Sequence, residues 1–358
     1  MQTKNSNRCL ASLLLGLLLS GGMAWGQEAR VIDSGLVYQT APFPSCHAST
    51  VCQTAEGDLL VAFFGGSWEG CEDVCIWSCR KGVGEERWSA PQCVADGRRG
   101  DTAQHPCWNP VLYRLPGHGN EVLLFYKTGR YIPQWVGHIK RSADGGRTWG
   151  AAEPLPSGLL GAIKNPPIRH GRRLIAPSST EPAWQPHFEI GNLRGRHWRK
   201  ASVPPDTSII AIQPALLTLP GDSLLALMRT KNGYLAQTLS ADGGHHWSPL
   251  TLTDIPNNNS GIDAITLHDG RHAMVYTPLG LTPGSEFGPR TPLVLALSAD
   301  GLHWHTLLTL EDAPGEYSYP TLIEGDDHTL HIVYTYRRTH IKYVHVALHQ
   351  STKSETDQ

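Results

Sequence analysis

Ser142-Ala143-Asp144-Gly145-Gly146-Arg147-Thr148-Trp149 returns as Ser240-Ala241-Asp242-Gly243-Gly244-His245-His246-Trp247. It returns again, one residue shorter, as Ser298-Ala299-Asp300-Gly301-Leu302-His303-Trp304. The phrase has the chemistry of a tight turn: serine and aspartate oxygens accept backbone N–H bonds, glycine permits positive φ, and the tryptophan plugs into a sheet. Weaker echoes end at Trp88 and Trp198, so tryptophans 88, 149, 198, 247 and 304 stand 61, 49, 49 and 57 residues apart. Between them, apolar strand pairs open at His47, Asn109, Asn165, Gln213, Asp263 and Tyr319, several with a proline in second place, where a strand need not donate. Six units of this length each accommodate four short strands. That predicts an all-β, six-bladed β-propeller over residues 30–348, with residues from about Ala29 pairing with the C-terminal strands to close the first blade.

Residues 1–26 read as a secretory signal: Lys4 and Arg8 precede an apolar run, and Ala24-Trp25-Gly26 offers small residues for cleavage. The run is too short to span a membrane, which implies a secreted or periplasmic protein. Taking Lys4 and Arg8 from the 30 basic residues leaves 28 against 32 acidic ones, a balance that excludes nucleic acid and an anionic membrane as partners. Seven of the eight cysteines lie between Cys46 and Cys107, and export makes disulfides the expectation for them. The polar segment 349–358 reads as a disordered tail.

Propeller symmetry brings equivalent strand openings to one face. His47, Asn109, Asn165, Gln213, Asp263 and Tyr319 are therefore candidates to line it, joined by Glu69, Lys127, Lys164, Glu181, Arg229 and Arg337. Trp68, Trp77, Trp108, Trp135 and Trp184 fall outside the repeated phrases and suit either sugar stacking or loop packing. No helical His pair, phosphate loop or EF-hand loop is present, so no metal ligands and no cofactor are expected, apart from a structural Ca²⁺ held by channel carbonyls.

The repeated phrases resemble the Asp-box (BNR repeat) of the sialidase, or neuraminidase, superfamily. Asn258-Asn259-Ser260-Gly261-Ile262-Asp263 and Glu316-Tyr317-Ser318-Tyr319-Pro320 further resemble a subgroup of predicted neuraminidases. The resemblance implies a propeller that holds a substrate carboxylate with three arginines and uses tyrosine, backed by glutamate, as nucleophile. Arg229 and Arg290 match two arginines, the Arg337-Arg338 pair offers a third basic contact, Tyr317 or Tyr319 matches the nucleophile, and Glu69 is the available acid/base. Two positions depart from the pattern: His47 stands where the first arginine is expected, and Gln213 where the glutamate is expected. Three readings follow. One is a hydrolase cleaving a sialate or uronate from an acidic oligosaccharide or polysaccharide. The second is a polysaccharide lyase in which His47 or His105 takes the proton beside a uronate carboxylate and tyrosine protonates the leaving oxygen. The third is a propeller that binds glycans without cleaving them.

Overall fold

The structure, a computed structural model, describes residues 27–99 and 103–350. The expected signal segment lies outside the described residues, as does the tail from residue 351. Among the described residues, six four-stranded antiparallel sheets form the blades, with one extra two-stranded ribbon. Innermost strands are Ser45–Gln53, Cys107–Arg114, Ile168–His170, Ala211–Thr218, Asp263–Thr266 and Tyr317–Glu324. The N-terminal strand Gln27–Leu36 forms the outer edge of the last blade by pairing with His340–Gln350. The ring is thus closed through the sixth blade, not the first: the C-terminal strand has a free edge that only the N-terminal strand covers.

Second strands such as Leu59–Gly66, Val122–Thr128 and Leu224–Thr230 are buried along their whole length because each is sandwiched between two neighbouring blades. Six hydrophobic clusters fill the six seams. Leu60, Phe64 and Ile76 of the first blade meet Leu112 and Leu124 of the second, for example, and Phe188 of the third meets Met228 of the fourth.

The repeat is explained by these seams. Trp88, Trp149, Trp198, Trp247 and Trp304 each pack into the seam between their own blade and the preceding one. Trp247 stacks on Phe188 with ring centroids 3.7 Å apart. The turn that delivers each tryptophan is held as its sequence implies. Ser142 Oγ accepts from Gly146 N (2.6 Å), and Asp144 accepts from Thr148 N (2.9 Å) and Thr148 Oγ1 (2.5 Å). Ser240–Asp242 and Ser298–Asp300 repeat the pattern, and in the third blade Asn192 replaces the serine at the strand end, its Oδ1 accepting from Arg194 N and Arg196 N at 3.0 Å. Gly146 has φ +86°, and a Cβ there would lie 2.4 Å from Leu60 Cδ2 of the preceding blade. Glycine is required for conformation and for closeness alike.

The expected disulfides are absent: all seven described cysteines are free thiols. Four of the buried ones are divided between the two seams that flank the first blade. Cys46 and Cys79 point into the seam with the sixth blade, Cys52 and Cys107 into the seam with the second, where they pack as small apolar side chains. Burial pushes the Cys46, Cys52 and Cys79 thiols up to about 12.

Candidate active site

One end of the axis is built by a repeated backbone irregularity. The pairing of the first two strands shifts register at His47/Thr50, Trp108/Val111, Ile212/Ala215 and Ser318/Thr321. Within these bulges Ala48, Asn109, Gln213 and Tyr319 adopt φ of 56°, 31°, 59° and 51°. A bulge re-aims the side chain it carries. Ala48, rather than His47, is therefore the first blade's counterpart of Gln213 and Tyr319.

Tyr319 is the hub. Its phenol oxygen accepts from Arg229 Nη1 at 2.8 Å and from Gln213 Nε2 at 3.2 Å. Both neighbours donate, so the phenol hydrogen is left for an acceptor in the cleft. The Arg229 fork is fixed by Asn259 Oδ1, at 3.0 and 2.7 Å, and its guanidinium lies over the Trp184 ring at 5.4 Å. Behind Gln213 sits Glu181, which accepts from Ser179 Oγ at 2.9 Å and from Gln213 Nε2 at 3.5 Å. Burial pushes the Glu181 carboxyl above its ordinary range, against Ser179, Arg229 and Lys127. The His47 ring packs on Tyr319, centroids 4.2 Å apart, with Nδ1 2.9 Å from Thr335 Oγ1. Burial, followed by the charges of Arg338, Arg290, Arg229 and Lys164, holds His47 well below the usual imidazole range, so it is neutral at physiological pH.

Arg290 and Arg338 complete the cationic wall. Both donate to Glu316 Oε1 at 2.7 Å, and Arg338 Nη1 also reaches Glu69 Oε2 at 2.6 Å. Burial and then the charges of Arg229 and Arg338 hold Arg290 below the usual guanidinium range, against the pull of Glu316. Glu69 lies at the exposed rim, next to Trp68, which is 68% exposed. Three arginines thus surround the packed pair of His47 and Tyr319, on a face whose floor is the bulged strands.

Several expected site residues are placed elsewhere. Tyr317 is fully buried in the seam between the fifth and sixth blades, and of the two candidate tyrosines only Tyr319 reaches the cleft. Arg337 turns outward to Tyr317 and Pro314 O, both at 3.3 Å, because Arg337 and Arg338 adopt φ of 53° and 61° in succession and diverge. Lys127 and Lys164 are not free to hold substrate. Each ammonium spends three donors inside the axis: Lys127 on the carbonyls of Asn109, Ala162 and Ile163, Lys164 on Asn165 Oδ1, Ile262 O and Pro320 O. Burial lowers Lys127 to about 7. Asn165 donates to Pro214 O at 2.9 Å, and Asp263 accepts from Leu322 N and Ala264 N at 3.0 Å. Asn109, Lys127, Lys164, Asn165 and Asp263 are thus ties between inner strands beneath the cleft, and lysines occupy channel carbonyls considered for Ca²⁺. His105 sits on the loop before the second blade. Among the described residues no hydrogen bond joins its side chain to the Tyr319 cluster. Of the non-repeat tryptophans, Trp77 and Trp108 donate to Gly65 O and Gly129 O at 3.0 and 2.8 Å, and Trp135 packs on Trp108. Trp184 walls the cleft. Glu316 and Asn259 have no role assigned from sequence, and Arg338 enters there only as half of a basic pair. The doubled arginine and the Asn257-Asn258-Asn259 run were the available signals.

The model of the BNR repeat-like domain matches residues 57–332. The chain belongs to this BNR repeat-like family. No curated protein matches it. Among solved structures, the NanB sialidase of Streptococcus pneumoniae superposes with a TM-score of 0.67 at 14% identity, covering 87% of this chain and 70% of that one. The intramolecular trans-sialidase of Ruminococcus gnavus gives 0.68 at 14% identity, covering 88% and 97%. A protein of unknown function from Dyadobacter fermentans gives 0.69 at 16%, covering 90% and 99%. At these identities the likeness establishes that this BNR repeat-like protein has the sialidase propeller fold.

Proposed function

We propose that this protein is an exported glycan-processing enzyme that captures a carboxylated sugar, a sialate or a uronate, between Arg229, Arg290 and Arg338 and cleaves its glycosidic bond beside Tyr319. The observation that carries this reading is the gathering of Arg229, Arg290 and Arg338 around His47 and the Tyr319 ring packed on it, whose phenol oxygen already accepts two hydrogen bonds. Guanidinium forks match carboxylates in charge and shape. In the hydrolytic route the Tyr319 oxygen bonds to the anomeric carbon and its hydrogen passes to neutral His47. Glu69 protonates the departing oxygen, and water then displaces the tyrosine.

A second route is favoured by His47 itself, a neutral base packed on Tyr319 among cations. There His47 removes the proton beside a uronate carboxylate, the electron pair becomes a C4–C5 double bond, and the oxygen leaving C4 takes the Tyr319 hydrogen.

Incubation with sialate- and uronate-capped glycans, followed simultaneously for reducing ends and for far-ultraviolet absorbance, tests the reading. Reducing ends without absorbance support hydrolysis, and absorbance of an unsaturated uronate supports elimination. Tight glycan binding with neither signal would overturn the enzymatic reading and leave a glycan-binding propeller.

A further inference from the structure

The face opposite the cleft carries a second cluster that the proposed reaction does not use. The innermost strand Tyr317–Glu324 begins at the cleft and ends at Glu324, five residues and about 17 Å beyond Tyr319. There two turns from neighbouring blades meet. Leu267 N to Arg271 O (2.7 Å) closes the turn holding His268, and Gly325 N to Thr329 O (2.8 Å) closes the turn holding His328. Glu324 Oε2 is fixed by the backbone N–H of His268 at 2.7 Å. Its Oε1 faces both rings, 2.5 Å from His268 Nδ1 and 3.6 Å from His328 Nδ1. The two imidazoles stack with centroids 3.6 Å apart, which aligns their Nδ1 edges on one carboxylate oxygen. All three donor atoms lie within 4.8 Å of one another.

We propose that His268, Glu324 and His328 form a site for a divalent transition-metal ion of the Zn²⁺ class, which pins the fifth blade to the closing sixth blade. Two imidazole nitrogens and one carboxylate oxygen are borderline donors that suit Zn²⁺, Ni²⁺ or Cu²⁺, whereas Ca²⁺ and Mg²⁺ take oxygen. A tetrahedral Zn²⁺ with bonds of about 2.0–2.1 Å spaces its ligands by roughly 3.3 Å, which small side-chain rotations at exposed turn ends achieve. The Oε2 bond to His268 N supplies the outer support that orients a ligating carboxylate. Three protein ligands leave a fourth position for water. The ion would join a turn of the fifth blade to a turn of the sixth, which the N-terminal strand closes, so binding should oppose opening of the ring at the seam between them.

The test is calorimetric titration of the chelator-treated full chain with ZnCl₂, alongside His268→Ala/His328→Ala and Glu324→Gln. The expected result is one Zn²⁺ per chain and a thermal midpoint raised by roughly 5 °C at a hundredfold excess over Kd. The double histidine variant should bind at least a hundredfold more weakly while keeping its fold and its glycan chemistry. Co²⁺ in place of Zn²⁺ should give a nitrogen/oxygen spectrum without a sulfur charge-transfer band, which separates this site from the thiols of Cys75, Cys93 and Cys107. Absence of Zn²⁺ binding, unchanged binding in the double variant, or a thiolate band abolished by Cys93→Ala would each overturn the proposal.

Discussion

Replacing Arg229 with alanine should remove most activity on acidic glycans while leaving the propeller folded. Arg229 is 6% exposed and is held by two contacts to Asn259 Oδ1, one to Tyr319 and one to Gln213 at 3.3 Å. Truncating one partner of a desolvated charge pair costs about 2–5 kcal/mol, or roughly 30- to 5,000-fold in kcat/KM. The same change strands Asn259 Oδ1, which is fully buried, at a cost of about 1–3 kcal/mol of stability. That should lower the melting temperature by several degrees without preventing folding at 25 °C. Arg229→Lys keeps the charge but loses the fork to Asn259, and should fall between wild type and alanine. Arg337→Ala is the matched control, because that guanidinium faces Tyr317 and Pro314 outside the cleft; its kcat/KM should stay within about threefold of wild type. Initial rates and thermal melts on all four proteins decide the matter. The clamp is refuted if Arg229→Ala retains wild-type kcat/KM, or if Arg337→Ala loses as much as Arg229→Ala does.

Tyr319→Phe should lower kcat by ~10²–10⁴ with little change in KM, as expected of a group acting in bond cleavage, whereas Tyr317→Phe should leave both parameters close to wild type because that ring is core. Gly146→Ala should destabilise by about 2 kcal/mol or more, since it combines a left-handed φ with a 2.4 Å approach to Leu60; denaturant unfolding reads this directly. Burial lowers His331 to about 4, with Tyr343 bonded to its Nδ1 at 2.8 Å. Between pH 6.5 and 4 the unfolded chain binds a proton that the folded His331 refuses, so the group's contribution is complete above pH 6.5 and falls as pH drops towards 4. His331→Gln should flatten the stability–pH curve across that window by up to about 3 kcal/mol, and an unchanged slope would refute the assignment.

The fold was legible because its repeating unit is a turn with strict demands. Serine, aspartate and glycine recur together at three of the five turns that hand a tryptophan to the preceding seam, and glycine at all five, so the spacing of Trp88, Trp149, Trp198, Trp247 and Trp304 counts blades. The site was legible at Arg229, Arg290, Gln213 and Tyr319, which sit at strand openings or follow a recognisable phrase. It was less legible where one residue of backbone geometry decides direction. Consecutive left-handed residues send Arg337 out and Arg338 in, and the bulge at Tyr319 separates it from the buried Tyr317 two positions earlier. Strand-end lysines look alike in sequence, yet carbonyls brought together only by ring closure consume all three donors of Lys127 and of Lys164. Cysteine clustering similarly could not reveal that the thiols face two different seams.

The central claim is that the cleft recognises a sugar through its carboxylate, and the most direct measurement compares two ligands that differ only there. Titration of the protein with a sialic or uronic acid glycoside and with its methyl ester gives the two dissociation constants. With Arg229, Arg290 and Arg338 as the clamp, the ester should bind at least about 30-fold more weakly, and that preference should collapse in Arg229→Ala. Equal affinity for acid and ester, or a preference untouched by Arg229→Ala, would contradict it.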